Sequence, residues 1–250
     1  ASSGADENAL RVTGEVTALL TGITVDKVGG TDNADSCNFY GQNAGLLATD
    51  GASVTISGAS ITTDGSGANG VFAYGSGTVV TITGSTIATA QDNPGGILVT
   101  GGGTLIAQEL TVETQGNSSA AIRSDRGGGT MSVTGGTYGS HGTGSPAIYS
   151  TASISVNGAT LTATASEAVV VEGKNSVTLT DCDVTGNMQG TYGQDSGENL
   201  QNVMLYQSMS GDADVGRSDF AMTGGSLTAL AGDMFYVTNT ACSIELSGVA

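Results

Sequence analysis

Apolar residues recur along this chain in a two-part pattern. The segments VTALLTGI, VTISGASI, VTITGSTI, LIAQELTV, MSVTGGTY, ISVNGATL, VTLTDCDV and FAMTGGSL each begin and end on an apolar side chain. The pairs are Val16/Ile23, Val54/Ile61, Val80/Ile87, Leu105/Val112, Met131/Tyr138, Ile154/Leu161, Val177/Val184 and Phe220/Leu227. The opening residues alternate, as in Val80-Thr81-Ile82-Thr83, which turns Val80 and Ile82 to one side of an extended strand and the threonines to the other. A Gly, Asn or Asp usually follows and bends the chain before a second alternating stretch. Each segment therefore reads as two short strands meeting at a corner.

A leading strand precedes each pair: LRV, LLA, VFA, ILV, IRS, IYS, VVV, VML and FYV, starting at Leu10, Leu46, Val71, Ile97, Ile122, Ile148, Val169, Val203 and Phe235. From Leu46 to Ile148 the intervals are 25, 26, 25 and 26 residues, so one repeat holds three strands and three turns. Two-residue Asn-Gly or Asp-Gly hairpin loops between equal strands are missing, and equivalent strands return only at this long period. Coils stacked along an axis account for both facts, with the strands forming three parallel sheets at a spacing of about 4.8 Å. A single coil cannot offset the entropy of ordering itself, so stability is collective. The expectation is one all-β solenoid domain of about nine coils, spanning Leu10 to Val249.

Three stretches break the period: 26–43, 187–201 and 208–218. They are rich in Gly, Asp, Asn and Ser and read as loops thrown out from the turns. The last pair opens at Ile244, and its partner would fall one residue past the end, so the natural protein is expected to continue at its C-terminus.

Composition narrows the partners. Glycine at 41 of 250 residues, with only 2 prolines, suits many tight turns. The 23 acidic residues against 6 basic ones give a net charge of −17, which argues against nucleic acid and anionic lipid as partners. No apolar run approaches the roughly 20 residues of a membrane helix, so no membrane insertion is expected. Cys37, Cys182 and Cys242 are an odd number without CxxC spacing and read as inert thiols rather than a disulfide framework or zinc site.

The coils resemble right-handed parallel β-helix proteins of the pectate-lyase-like superfamily, and within it the adhesin-like surface proteins of gut clostridia. The segments carrying the resemblance are GVFAYGSGT, SSAAIRSDRGGGT, SPAIYSTA, SEAVVVEGKNSV, NVMLYQSMSGDADVG and GDMFYVTNT, which together span most of the chain. The resemblance implies a secreted or cell-surface location and supplies no catalytic mechanism. Polygalacturonases of this superfamily are similar at Ser140-His141-Gly142, but their paired aspartates, Asn-Thr-Asp run and Arg-x-Lys run have no counterpart in order.

Candidate chemistry lies on the leading strands. Their first and third residues face inward, which leaves Arg11, Leu47, Phe72, Leu98, Arg123, Tyr149, Val170, Met204 and Tyr236 facing out, an apolar outer stripe. The next outward position adds Tyr74, Asp125, Glu172 and Tyr206 among threonines, and Arg126 and Lys174 lie just beyond. Tyrosines beside guanidinium groups and carboxylates suit a sugar polymer, since rings stack on C–H faces and charged groups bind hydroxyls or uronates. Phe72, Tyr74, Arg123, Asp125, Arg126, Tyr149, Glu172, Lys174, Tyr206 and Tyr236 are thus the candidate ligand contacts. The competing reading is that the 187–201 and 208–218 loops cover part of the stripe.

No cofactor is expected. Calcium is conceivable at Asp212 and Asp214, or where Asp32 with Asp35 and Asp195 with Glu198 cluster in loops, though none matches an EF-hand. Asp181 and Asp183 form a further same-side pair. The favoured function is a non-catalytic, adhesin-like module that binds a glycan or other surface polymer. The alternative is a polysaccharide-active enzyme on the same face, where a lyase would use Arg126 or Lys174 near Asp125 or Glu172. Ice binding by the outward Thr55/Ser57, Thr81/Thr83 and Ser132/Thr134 rows is weakened by Ile106/Gln108 and Ala221.

Overall fold

A computed structural model describes residues 1–31, 33–190 and 200–250. Among them, 26 short strands form three sheets of nine, nine and eight strands, each strand pairing in parallel with its counterpart one coil away. The leading strands stack Leu46 on Val71, Val71 on Ile97, Ile97 on Ile122, Ile122 on Ile148 and Ile148 on Val169, all fully buried. The middle strands stack Val54, Val80, Leu105, Met131, Ile154, Val177 and Phe220, and the trailing strands add Ile61, Ile87, Val112, Tyr138, Leu161 and Val184. These columns make one continuous core, which is how a coil too small to be stable alone becomes stable in a stack.

The corner between middle and trailing strands has a fixed conformation. Gly58, Gly84, Gly135 and Gly158 occupy the left-handed region there, and Glu109 and Asp181 take the same conformation at their own corners with φ of 51° and 50°. Only a residue near αL turns the chain sharply enough between two strands, and glycine does so without a Cβ penalty. One residue past the Asp181 corner, buried Cys182 stands one coil from Ala159. Cys37 is also buried and Cys242 exposed, all three as free thiols.

The first coil departs from the expected register. Ala18 and Val25, not Val16 and Ile23, stack on Val54 and Ile61. Val16 is exposed and Leu19 is 74% exposed, because the small Ala18 takes the inward place. Lys27 ends this coil facing inward, with its ammonium group donating to the carbonyls of Gly4 at 2.8 Å and of Gly29.

The 26–43 stretch is not wholly loop. Its first residues complete the trailing strand Thr24–Lys27, and Ala34–Tyr40 form a short helix, α1. The Asn33 side chain caps its start by accepting from the Ser36 N–H, and Gly41 ends it in the left-handed conformation at φ 69°. At the second insertion, residues 191–199, including Asp195 and Glu198, lie outside the described residues, as does Asp32. Gln201 already belongs to a leading strand, Gln201–Tyr206.

Candidate functional site

The leading strands pair in the expected register, Leu47 with Phe72, Phe72 with Leu98, Leu98 with Arg123 and Arg123 with Tyr149. Their outer stripe is nevertheless not an open platform. Helix α1 leaves the first coil and lies across the next coils, so Leu47, Phe72 and Leu98 are buried with Ala44 in a second, smaller hydrophobic cluster. The approach is close: a Cβ on Gly41 would stand 2.6 Å from Leu47 Cδ1 and 2.9 Å from Phe72 Cγ. Polar ties hold the helix down. Asn69 donates to the Cys37 carbonyl at 3.0 Å, Thr100 Oγ1 to the Phe39 carbonyl at 2.7 Å, and Asn8 to the Gly41 carbonyl at 2.7 Å. Phe72 is therefore corrected from a ligand contact to a cover contact beneath α1. Tyr74, half-buried, stands at the edge of this cover with its ring 5.6 Å from that of Tyr40.

The 208–218 loop covers the sheet from the other end, as one reading of the stripe anticipated. Asp214 accepts the Lys174 N–H at 2.8 Å through its carbonyl, and Ser208 donates its hydroxyl to Glu172. Tyr206 donates to the same Glu172 carboxylate at 2.8 Å, and Tyr149 donates to it as well. Glu172 is 1% exposed, so the chain places a carboxylate below the surface and surrounds it with three hydroxyls instead of presenting it to a ligand. Burial pushes the Tyr149 phenol well above its ordinary value, with the nearby Tyr206 and the Glu172 charge adding to the effect. Val170, beside Tyr149 on the next strand, is buried too.

The two covers meet over the fifth and sixth coils. There Arg123 and Asp125, both expected to face solvent, form a buried ion pair at 3.0 Å. Arg123 also donates to the carbonyls of Asn93 at 3.0 Å and Ser118 at 3.2 Å, and the second Asp125 oxygen accepts the Arg126 N–H at 3.1 Å. Burial lifts the Asp125 carboxyl above its ordinary range against the opposing pull of Arg123. Arg126 is exposed and joins the two covers, with its guanidinium carbon 4.0 Å from the centre of the Phe39 ring on α1 and its nitrogens 2.7 and 3.0 Å from Asp212 Oδ1 on the 208–218 loop.

Beneath this bridge lies a cavity of about 260 Å³, lined by Asn38 and Phe39 of α1, Ser118, Ala120, Arg123 and Asp125 of the fifth coil's turns and strand, Gly144, Pro146 and Tyr149 of the next coil, and Asp212. The buried Asn38 Oδ1 has no hydrogen-bond partner among the described residues. The cavity thus combines two aromatic residues and a satisfied ionic floor, while the Asn38 oxygen is sealed off from it.

The remaining candidates are dispersed. Lys174 is exposed and does not line the cavity, and Tyr236 is half-buried on the last leading strand. The grouping of Arg126 or Lys174 beside Asp125 or Glu172 as acid–base partners does not form, because Arg126 holds Asp212, Asp125 holds Arg123 and Glu172 is enclosed by hydroxyls. Asp212 carries a guanidinium where calcium was envisaged, Asp214 is exposed, and no cluster of three or more His, Cys, Asp or Glu suited to a metal occurs among the described residues. His141 pairs with Glu113 at 2.6 Å and Thr164 at 3.2 Å, and it does not line the cavity. Asp181 and Asp183 are exposed, with Asp183 accepting from Ser226 at 2.8 Å.

Sequence reasoning missed Asn38, Phe39, Ser118 and Pro146. The signal for the first two was a pair of aromatic residues, Phe39-Tyr40, inside a polar insertion flanked by a capping Asn33 and a terminating Gly41. No curated protein and no solved structure matches the chain. The model of a family described as right-handed β-helix region matches residues 21–207, three quarters of the chain, and the protein belongs to that family.

Proposed function

We propose that this β-helix is a non-catalytic, adhesin-like module of a secreted or cell-surface protein, and that it binds a glycan at the cavity between α1 and the 208–218 loop. The single observation supporting this reading is the composition of that cavity, where Phe39 and Tyr149 line the same space as the polar groups of Ser118, Arg123, Asp125 and Asp212. Carbohydrate recognition needs such a mixture, an aromatic face for sugar C–H groups and fixed hydrogen-bonding atoms for hydroxyls. The ionic floor favours binding over chemistry, since both oxygens of Asp125 are already engaged.

The test is a glycan array probed with the wild-type protein and with Phe39→Ala, Tyr149→Ala and Tyr236→Ala. Binding lost in the first two and retained in the third is the expected result. Equal binding by all four proteins would remove the cavity from the account.

A second reading, hydrolysis at the same place, draws on one observation. Asp125 and Asp212 line one cavity, and the proton affinity of Asp125 is raised, as a general acid requires. New reducing ends released from any bound glycan, and abolished by Asp125→Asn, would replace the binding reading with this one.

A further inference from the structure

We infer that the cavity takes one uncharged terminal sugar ring, inserted end-on, and rejects uronates. This inference rests on the glycan reading and gives it a ligand class. Size is the first argument. At about 260 Å³ the cavity is smaller than the roughly 300–1,000 Å³ of pockets that enclose drug-sized ligands, which leaves room for one ring and not for two. A polymer lying along the coils is also obstructed, because the contacts of Arg126 with Phe39 and Asp212 cross the face where it would run.

Charge is the second argument, and it reverses an expectation raised by the arginines. Each guanidinium is already matched, Arg123 to Asp125 and Arg126 to Asp212, while Glu172 adds a third carboxylate behind Tyr149, with hydroxyls rather than a cation around it. Three carboxylates against two guanidinium groups leave the surroundings negative, so an anionic sugar would enter against repulsion and find no free cation on the lining. The acceptor that does reach the lining, the Asp212 carboxylate, instead asks for donors, which sugar hydroxyls supply.

The experiment is saturation-transfer NMR with methyl glycosides of neutral hexoses, N-acetylhexosamines and hexuronates, together with polygalacturonate, on wild type, Phe39→Leu and Asp212→Asn. Wild type is expected to bind at least one neutral glycoside and no hexuronate. Phe39→Leu should weaken that binding about tenfold, the worth of one aromatic face against a sugar ring. Asp212→Asn removes a negative charge and releases Arg126, so hexuronate binding should appear. An unchanged thiol reactivity of Cys37 in each variant shows that α1 is still docked.

If wild type binds a hexuronate and Phe39→Leu weakens it, the inference is overturned while glycan binding survives. If neutral glycosides bind equally to wild type and Phe39→Leu, the ring is not in this cavity and the inference again fails. If no sugar of either class binds, the glycan reading fails and takes the inference with it.

Discussion

Replacing Phe72 with Ala tests whether α1 is a separately docked cover. Phe72 is fully buried, yet it packs with Ala44, Leu47 and Leu98 outside the solenoid core. Truncating a buried Phe to Ala typically costs about 3–5 kcal/mol. In the interior of the coils that loss would fall on the whole stack, whereas beneath α1 it should fall on the docking of one short helix. Cys37 on that helix reports the difference, since it is fully buried and burial pushes its thiol up to about 12. Undocking exposes the thiol and returns its ordinary acidity. A docking loss of about 3 kcal/mol would raise the undocked population, and with it the rate of Cys37 reaction, by about 100-fold.

The assay is the rate of reaction with a thiol reagent at neutral pH in a Cys242→Ser background, which removes the exposed cysteine and leaves Cys182 buried in the core. Val177→Ala serves as the comparison because Val177 lies inside the seventh coil. It should lower Tm with little effect on Cys37, while Phe72→Ala should release Cys37 with strand content intact. If Cys37 stays protected in Phe72→Ala while Tm falls as in Val177→Ala, Phe72 belongs to the main core and the separate cover does not exist.

Three further outcomes follow from the same geometry. Between pH 9 and about 12 the folded state keeps a Cys37 proton that the unfolded chain releases, so this group's contribution to stability is lost as pH rises; the unfolding free energy of wild type should fall relative to Cys37→Ala across that window by up to about 1 kcal/mol per pH unit, as checked by denaturant melts. At the corners, Gly84→Ala forces a Cβ into φ 54° and should cost about 1–2 kcal/mol in denaturant melts, whereas Glu109→Gly relieves the same conformation at φ 51° and should raise stability. Asp212→Asn breaks a partly exposed ion pair and should leave Tm nearly unchanged while making the 208–218 loop more susceptible to limited proteolysis.

The coils were legible because an inward aliphatic must meet its counterpart one coil away, and that constraint writes itself into the sequence at every turn. All nine leading-strand starts, from Leu10 to Phe235, pair as the spacing implies. The first coil was not legible, because Ala18 carries little hydrophobic signal while Val16 and Leu19 carry much and are exposed.

The outer stripe was legible only in part. Leu47, Phe72 and Leu98 announce that something apolar lies over them, but which segment covers them depends on contacts between distant parts of the chain. Helix α1 has seven residues, fewer than two apolar repeats, so no helical period marks it against a polar background. The cavity was less legible still, since it exists only where two insertions from opposite ends of the solenoid meet. The candidate charges were correctly placed on this face but wrongly taken as free, because i, i+2 neighbours such as Arg123 and Asp125 can satisfy each other once covered.

Crystals soaked with a neutral glycoside that binds in solution offer the most direct measurement. The expected result is density for one sugar ring between Phe39 and Tyr149, with a hydroxyl donating to the Asp212 carboxylate. Density on the outward threonine rows of the middle sheet, or along the leading strands with α1 displaced, would contradict it.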